Sequence, residues 1–140
     1  MIYALDTNII SFYLRKDRNK DVMERFVFEI EVAGNDYVIP PLSFYEITWY
    51  LLRKKAVAQY QAFRQLYENC YETATMEEAD FMKAAQIKVA LQEQGHTIDD
   101  GDIFIAAYCL RHDYTLVTDN QKHFMPIKEL KSVNWKKVRE

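Results

Sequence analysis

Hydrophobic residues along the chain form two kinds of pattern, short continuous runs and longer stretches with helical spacing. The short runs end at polar or proline residues and have the length of buried strands. The clearest of them is YTLVT at residues 114–118. The pattern predicts strands over residues 2–5, 37–39 and 114–118, a final edge strand near 133–135, and a further strand over 72–76.

The stretches between these runs carry apolar residues three or four positions apart, as amphipathic helices do. Helix-capping residue types at Asp6, Thr7 and Asn8 precede the segment IISFYL, so the first strand is expected to lead directly into a helix. Further helices are predicted over residues 21–32, 42–55, 57–71, 77–94 and 99–112. The expected buried stripes are Leu42, Tyr45, Trp49 and Leu52 on the helix from 42, and Ile103, Ala106, Ala107 and Leu110 on the helix from 99.

Short strands that alternate with longer helices predict an α/β fold, in which helices cover both faces of a parallel sheet. The chain has 140 residues, the size of one domain, and we expect a single domain over residues 1–140. Ligands of such sheets bind outside the carboxyl ends of the strands. Asp6 and Asp119 each follow a predicted strand, so both are expected at that edge.

The composition argues against several classes of protein. The two cysteines, Cys70 and Cys109, are too few for a disulfide framework and favour a reducing cytoplasm. Asp6 leaves no room for the apolar part of a signal peptide, and no apolar run approaches the roughly 20 residues that span a membrane. The net charge of −3 argues against a simple phosphate-binding surface, but acids gathered to hold cations give the same balance.

Four acids lie beside predicted core rather than on an open surface: Asp6, Glu46, Asp102 and Asp119. Each has a simpler explanation when it is taken alone. A helix cap explains Asp6, a turn explains Asp119, and a solvated helix position explains Glu46. Asp102 can belong to the acidic first turn of its helix, together with Asp99. On an α/β layout, however, the four acids predict one acidic cluster at one edge of the sheet.

Such a cluster needs compensating positive charge, because like charges raise each other's pKa values. Carboxylates without convergent histidine or cysteine favour Mg²⁺ or Mn²⁺ over zinc, and metals held in this way activate water for attack on phosphorus. The three histidines, His96, His112 and His123, lack metal-ligand spacing and are expected in surface or capping roles. The chain has no glycine-rich phosphate loop and no G-x-S-x-G motif, which disfavours nucleotide-triphosphate and serine-hydrolase chemistry.

Four segments together resemble the PIN-domain nucleases, and in particular the VapC-type toxins of bacterial toxin–antitoxin pairs: YALDTNIIS, PPLSFYEITWYLLRK, DIFIAAYCLRHDYTLVTDN and F-x-x-I…VNW. The resemblance covers nearly the whole chain, with the motifs in the order and spacing of the family. By motif it assigns the catalytic and metal-binding acids as Asp6, Glu46, Asp102 and Asp119. Asn8 and Thr118 match small polar positions that orient the acids or a metal-bound water, and Asp99 is a further candidate metal ligand.

The resemblance implies a three-layer α/β/α sandwich and Mg²⁺- or Mn²⁺-dependent endonucleolytic cleavage of RNA, with structured RNA such as tRNA as the usual target. It also implies a homodimer, and neutralisation by a cognate antitoxin that inserts a C-terminal segment near the acids. Two alternatives stay open. One is a PIN-like nuclease that processes RNA or cuts DNA outside a toxin pair, and the other is a catalytically idle PIN-like binding module.

Basic and aromatic residues are the candidates for contact with a partner. The proposed RNA phosphate contacts are Arg15, Lys16, Arg53, Lys54 and Lys55, for which solvated helix ends are the alternative explanation. The aromatic candidates for base stacking or a dimer face are Phe12, Tyr13, Tyr45, Trp49 and Tyr50. We expect plain core packing for most of these aromatic side chains.

Overall fold

The computed structural model describes residues 1–15 and 17–136, and at its centre is a four-stranded sheet. The strands are β1 (Ile2–Leu5), β2 (Asp36–Val38), β3 (Thr115–Val117) and β4 (Ser132–Val133). They pair in parallel in the order β2-β1-β3-β4, so β1 has a neighbour on each side. The predicted parallel sheet is confirmed, and β4 is the expected edge strand.

Helices connect consecutive strands, as a parallel sheet requires. They are α1 (Thr7–Leu14), α2 (Lys20–Val27), α3 (Pro41–Lys54), α4 (Val57–Glu68), α5 (Glu78–Glu93), α6 (Asp100–His112) and α7 (Gln121–Phe124). α2 continues without a break into a π-helical turn, Phe28–Val32, so the helix predicted over residues 21–32 is present but changes its hydrogen-bond pattern. The sequence analysis did not predict α7. No helix among residues 1–15 and 17–136 is long and apolar enough to cross a membrane.

Two hydrophobic cores lie on opposite faces of the sheet, because successive side chains of a strand point to opposite sides. In β1, Ala4 belongs to the core formed with α5, α6 and α7, whereas Tyr3 and Leu5 belong to the core formed with α1 to α4. In β3, Leu116 and Val117 divide between the two cores in the same way. The layers are therefore helix, sheet and helix, and the predicted α/β/α sandwich is confirmed.

The predicted strand over residues 72–76 is wrong. Tyr71 N donates one hydrogen bond to Tyr37 O at the outer edge of β2 (2.8 Å), but the ladder goes no further. Ala74 N donates instead to the hydroxyl of Tyr67 (2.8 Å). Because a side chain takes the backbone donor that a strand partner would need, residues 72–76 run as an irregular segment.

The predicted buried stripe on α3 is also wrong for three of its four members. Tyr45, Trp49 and Leu52 are 59, 53 and 61 % exposed. The buried side chains of α3 are Ser43, Ile47 and Leu51, which follow the same helical spacing on a different face. Since α3 has apolar residues on both faces, periodicity alone did not show which face meets the core. The other face leaves aromatic rings in solvent.

Candidate active site

Asp6 lies between β1 and α1, at the carboxyl edge of the sheet, and is the N-cap residue of α1. Its backbone N–H extends the pairing with β3 by donating to Val117 O (2.9 Å), and its carbonyl accepts from the N–H groups of Ile9 and Ile10. The residue is only 5 % exposed, and its Oδ1 accepts from Thr7 N at 2.8 Å. Asp6 is therefore a helix cap, but this role uses only one of its two oxygens.

Thr118, directly after β3, binds the other oxygen of Asp6. Its fully buried hydroxyl donates to Asp6 Oδ2 at 2.7 Å and accepts from Asn120 N at 3.0 Å and from Asn8 Nδ2 at 3.4 Å. Asn8 Oδ1 in turn accepts from Asp119 N at 3.2 Å. The two small polar residues singled out in the sequence thus fix the end of β3 against Asp6.

Glu46 reaches the same edge from α3. Thr7 Oγ1 donates to Glu46 Oε1 at 3.3 Å, so the residue next to Asp6 in the chain also orients the second acid. Ile47, the next residue of α3, is buried and anchors the helix in the core. Glu46 is partly exposed to solvent, whereas Asp6 is buried.

Asp102 lies in the first turn of α6, and its partner is a residue that the sequence analysis had assigned to a surface or capping role. His123 Nε2 lies 2.8 Å from Asp102 Oδ2. The His123 side chain is partly exposed, and α7 carries its imidazole back from the end of β3 to the acidic edge. The His-F pair after the TDN motif was the available signal. The absence of metal-ligand spacing hid it, since His123 contacts an acid rather than a metal.

Asp119 and Asp99 occupy the margins of the edge. Asp119 Oδ1 accepts from Asn134 Nδ2 at 3.1 Å, and its Oδ2 lies 3.8 Å from Lys136 Nζ. The carboxylate is therefore held by the segment after β4. Asp99 is the exposed N-cap residue of α6, although its side chain makes no capping hydrogen bond.

Three of the four acids, Asp6, Glu46 and Asp102, interact electrostatically. Burial raises the pKa of Asp6, and the negative charge of Asp102 raises it further, while the hydrogen bonds from Thr118 and Thr7 and the charge of His123 oppose the rise. Burial also raises the pKa of Glu46, with added contributions from Asp6 and Asp102 and an opposing hydrogen bond from Thr7. Asp6, Glu46 and Asp102 thus share one region of negative potential.

This region suits a hard cation by its chemistry. The side chains offer oxygen atoms, which Mg²⁺ and Mn²⁺ prefer, and a nearby cation would favour the ionised forms that burial and mutual repulsion disfavour. Within the described ranges, 1–15 and 17–136, no three His, Cys, Asp or Glu side chains form a group that could hold a metal ion as they stand. Asp6, Glu46 and Asp119 instead accept hydrogen bonds within the protein, and Asp102 contacts His123. The donor set fits the predicted metal, and the assignment of individual ligands stays a prediction.

A groove of about 520 Å³ opens directly beside Glu46 and Thr7, between α1, α3 and α4. Its walls carry three of the exposed aromatic residues, Tyr45, Trp49 and Tyr50. These rings are not core, contrary to the expectation from the sequence. The groove therefore presents exposed aromatic side chains directly beside the acidic edge.

The predicted phosphate contacts lie around this groove. Arg15 lines it and places its guanidinium 5.1 Å from the Phe12 ring centroid. Arg53 lies 4.6 Å from the Trp49 centroid, and Lys54 Nζ lies 6.0 Å from that of Tyr50. Lys16 lies outside the described residues.

Comparison with known proteins gives consistent results over almost the entire chain. A sequence model of the PIN domain matches residues 3–127. Ribonuclease VapC1 of Haemophilus influenzae (strain R2866) is 32 % identical over 142 residues, which cover 98 % of this chain and 100 % of that protein. Ribonuclease VapC2 of Rickettsia felis is 26 % identical over 137 residues, with 98 % and 100 % covered.

Solved structures give the same result for the fold. VapBC2 of Rickettsia felis, crystallised with a DNA fragment from its promoter, contains a chain that superposes with a TM-score of 0.84 at 23 % identity, covering 96 % of this chain and 99 % of the other. VapBC-1 of nontypeable Haemophilus influenzae gives a TM-score of 0.76 at 29 % identity, covering 98 % and 100 %.

Proposed function

Because this chain belongs to the PIN-domain family, we propose that it is a metal-dependent endoribonuclease and the toxin of a VapBC-type pair. The observation that carries the proposal is the environment of Asp6. This carboxylate is buried, its pKa is raised, and it shares its negative region with Glu46 and Asp102. A structural helix cap does not need two further acids beside it. The full-length similarity to proteins named as VapC ribonucleases supports the same activity.

We assign Asp6, Glu46 and Asp102 to hold Mg²⁺ or Mn²⁺, with Asp119 and Asp99 as further candidate ligands. When bound, such a cation supplies an activated water and stabilises charge on the phosphate and the leaving oxygen. Side chains of the protein itself orient the acids. Thr118 and Thr7 fix the two oxygens of Asp6, and Thr7 also orients Glu46.

The substrate we propose is structured RNA such as tRNA. Arg15, Arg53 and Lys54 lie next to exposed aromatic rings around the groove, an arrangement that suits phosphate contacts beside stacked bases. Lys16 follows Arg15 in the chain and is proposed for the same role. The net charge of −3 does not oppose this assignment, because the acids that hold the cation account for part of the negative charge.

The partner we propose is an antitoxin whose C-terminal segment occupies the groove beside Glu46. The walls combine exposed aromatic rings with an acidic end, which suits an amphipathic segment that carries a basic residue toward the acids. The VapBC complexes of Rickettsia felis and Haemophilus influenzae are similar in their VapC fold and support this assignment by analogy. We also propose a homodimer, which light scattering on the purified chain tests directly.

The decisive experiment compares Asp6→Asn with Asp113→Asn. Asp6→Asn keeps the size of the side chain and an acceptor for Thr7 N, but removes a charged oxygen. Asp113 is an exposed acid at the opposite edge of the sheet, in a left-handed conformation that asparagine also tolerates. Wild type and Asp113→Asn should cleave RNA only with Mg²⁺ or Mn²⁺, and Asp6→Asn should lose at least about 100-fold in rate. Cleavage that persists in excess EDTA, or in Asp6→Asn, contradicts the proposal.

The toxin role has a separate test. Expression of the wild-type chain alone should arrest growth, and expression of Asp6→Asn should not. A chain that cleaves RNA in vitro but leaves growth unharmed favours the alternative, a PIN nuclease outside a toxin pair. A chain with no metal-dependent cleavage favours the idle binding module.

A further inference from the structure

His123 is the one histidine of residues 1–15 and 17–136 that contacts a carboxylate of the proposed active site. Its Nε2 lies 2.8 Å from Asp102 Oδ2, and the side chains of the two residues are 33 and 29 % exposed. The contact is an ion pair when the imidazole is protonated, with the positive ring facing a negative oxygen. The contact therefore fixes the orientation of the ring and of the acid.

The contact leaves one oxygen of Asp102 available. Oδ2 faces the imidazole, and no hydrogen bond from the residues that the structure describes reaches Oδ1. In metal sites, an outer hydrogen bond to a ligating carboxylate orients it and is required for full affinity. The arrangement at Asp102 has this form, with one oxygen held and the other free to act as a ligand.

The segment that contains His123 also contains Thr118, whose hydroxyl binds Asp6. Residues 118–124 begin with Thr118, which donates to Asp6 Oδ2, and end with Phe124, which is buried in the core under α6. Asn120 links Thr118 to His123, since its N–H donates to Thr118 Oγ1 and its carbonyl accepts from His123 N. One hydrogen-bonded segment therefore reaches acids on two different elements, the end of β1 and the start of α6.

We propose that His123 is a positioning residue of the active site, which holds Asp102 in the orientation needed for cation binding and aligns it with Asp6 through segment 118–124. This inference rests on the proposed function, since it gives Asp102 a cation to bind. A plain surface ion pair is the competing explanation. It would contribute to stability alone, and only weakly at this exposure.

The test measures Mn²⁺ binding to the full-length chain, from the electron paramagnetic resonance signal of the free ion, in wild type, His123→Ala and His123→Gln. The amide of glutamine can donate to Asp102 Oδ2 from nearly the same place as Nε2, whereas alanine cannot. We expect His123→Ala to weaken Mn²⁺ binding about 10- to 100-fold, and His123→Gln to recover most of the loss. Lys122→Ala, an exposed neighbour on α7, is the matched control and should bind as wild type does.

RNA cleavage gives a second readout. His123→Ala should need about 10- to 100-fold more Mn²⁺ for half-maximal cleavage, while KM for RNA at saturating Mn²⁺ stays close to the wild-type value. Unchanged Mn²⁺ binding in His123→Ala, or equal losses in the alanine and glutamine variants, overturns the positioning role. If wild type binds Mn²⁺ but cleaves no RNA, the ribonuclease proposal fails, and the binding series still decides the role of His123.

Discussion

Thr118 shows how much one buried hydroxyl contributes to the proposed site. It donates to Asp6 Oδ2 and accepts from Asn120 N and Asn8 Nδ2, with no exposure to solvent. No water can replace it without a change in packing. Its hydrogen bond also opposes the rise in the pKa of Asp6, so it favours the ionised form that binds a cation.

Thr118→Val should therefore impair both stability and activity. Valine has nearly the same shape but leaves the donors of Asn120 and Asn8 without an acceptor, which costs about 1–3 kcal/mol in the free energy of unfolding. We expect RNA cleavage to fall about 10- to 100-fold, because Asp6 loses its second support. Urea denaturation and cleavage rates measure the two effects. Thr118→Ser keeps the hydroxyl and should remain near wild type; a serine variant as impaired as the valine variant would contradict this account.

The two cysteines are expected to be chemically inert in the folded chain. Burial raises the pKa of Cys70 to about 12, and it raises the pKa of the fully buried Cys109 still further. Because the thiolate is the reactive form, neither residue should be alkylated by iodoacetamide at about pH 8, and both should react in denaturant. Mass spectrometry of the treated chain counts the alkylated cysteines. Rapid modification of the native chain would show that one of the thiols is more accessible than the structure indicates.

The turn that ends the second helical segment is held by a buried acid outside the active site. Glu29 lies in the π-helical turn and accepts from Tyr3 OH (3.1 Å), Asn35 Nδ2 (2.8 Å) and Arg25 Nε (2.8 Å). Burial alone would raise the pKa of Glu29, but the hydrogen bonds from Asn35 and Tyr3 and the charge of Arg25 outweigh it and lower the pKa below 4.5. The ionised form therefore stabilises the fold.

Glu29→Gln should destabilise the chain in a pH-dependent way. Glu29 has a lower pKa in the folded than in the unfolded state, so its stabilisation is complete above the unfolded value near 4.5 and is lost as the pH falls through the folded value. We expect a loss of about 1–3 kcal/mol at neutral pH that shrinks as the pH falls below 4.5. Urea denaturation across this range measures it. Glu24→Gln, at an exposed pair with Lys20, is the control, and a pH-independent loss in Glu29→Gln would contradict the argument.

Continuous apolar runs in the sequence predicted the strands of the sheet. The alternation of these runs with stretches of helical spacing predicted the α/β fold. The prediction failed where local pattern does not decide the outcome. Residues 72–76 have strand-like composition, but Tyr67 takes a backbone donor that a strand would use. The burial of α3 was assigned to the wrong face, because Tyr45 and Trp49 satisfy helical spacing as well as Ile47 does. Which face is buried depends on the packing of distant elements.

The candidate site likewise contains residues that the sequence identified and one that it did not. Asp6, Asn8 and Thr118 were identified by motif, and the structure brings them into one hydrogen-bond network. His123 was missed, since its contact with Asp102 depends on the direction in which α7 leaves β3. Spacing between histidines carries no information about a histidine that contacts an aspartate.

The segment after β4 packs into the core through Trp135. Trp135 is 4 % exposed and packs against Tyr3, with ring centroids 5.3 Å apart, and it also contacts Phe26 of α2. It follows β4 and Asn134, which holds Asp119. One short segment thus closes the core on the α1–α4 side and fixes one margin of the acidic edge.

Trp135→Ala should cost about 3–5 kcal/mol in the free energy of unfolding, because it opens a cavity in this core. Trp135→Phe is the matched variant. The indole Nε1 makes no hydrogen bond to the residues that the structure describes, so phenylalanine loses volume but no polar partner and should cost much less. Urea denaturation compares the three chains. Equal losses in the two variants would mean that the ring is not the source of the stability.

The parallel order of the strands also determines when the site can exist. Thr118 lies 112 positions after Asp6, and at about 5–20 residues per second a ribosome needs roughly 6 to 22 s to add the residues between them. For that time β1 lacks its β3 neighbour, and Asp6 lacks the hydroxyl that supports it. A nascent chain therefore carries an unfinished acidic edge until Thr118 has been synthesised.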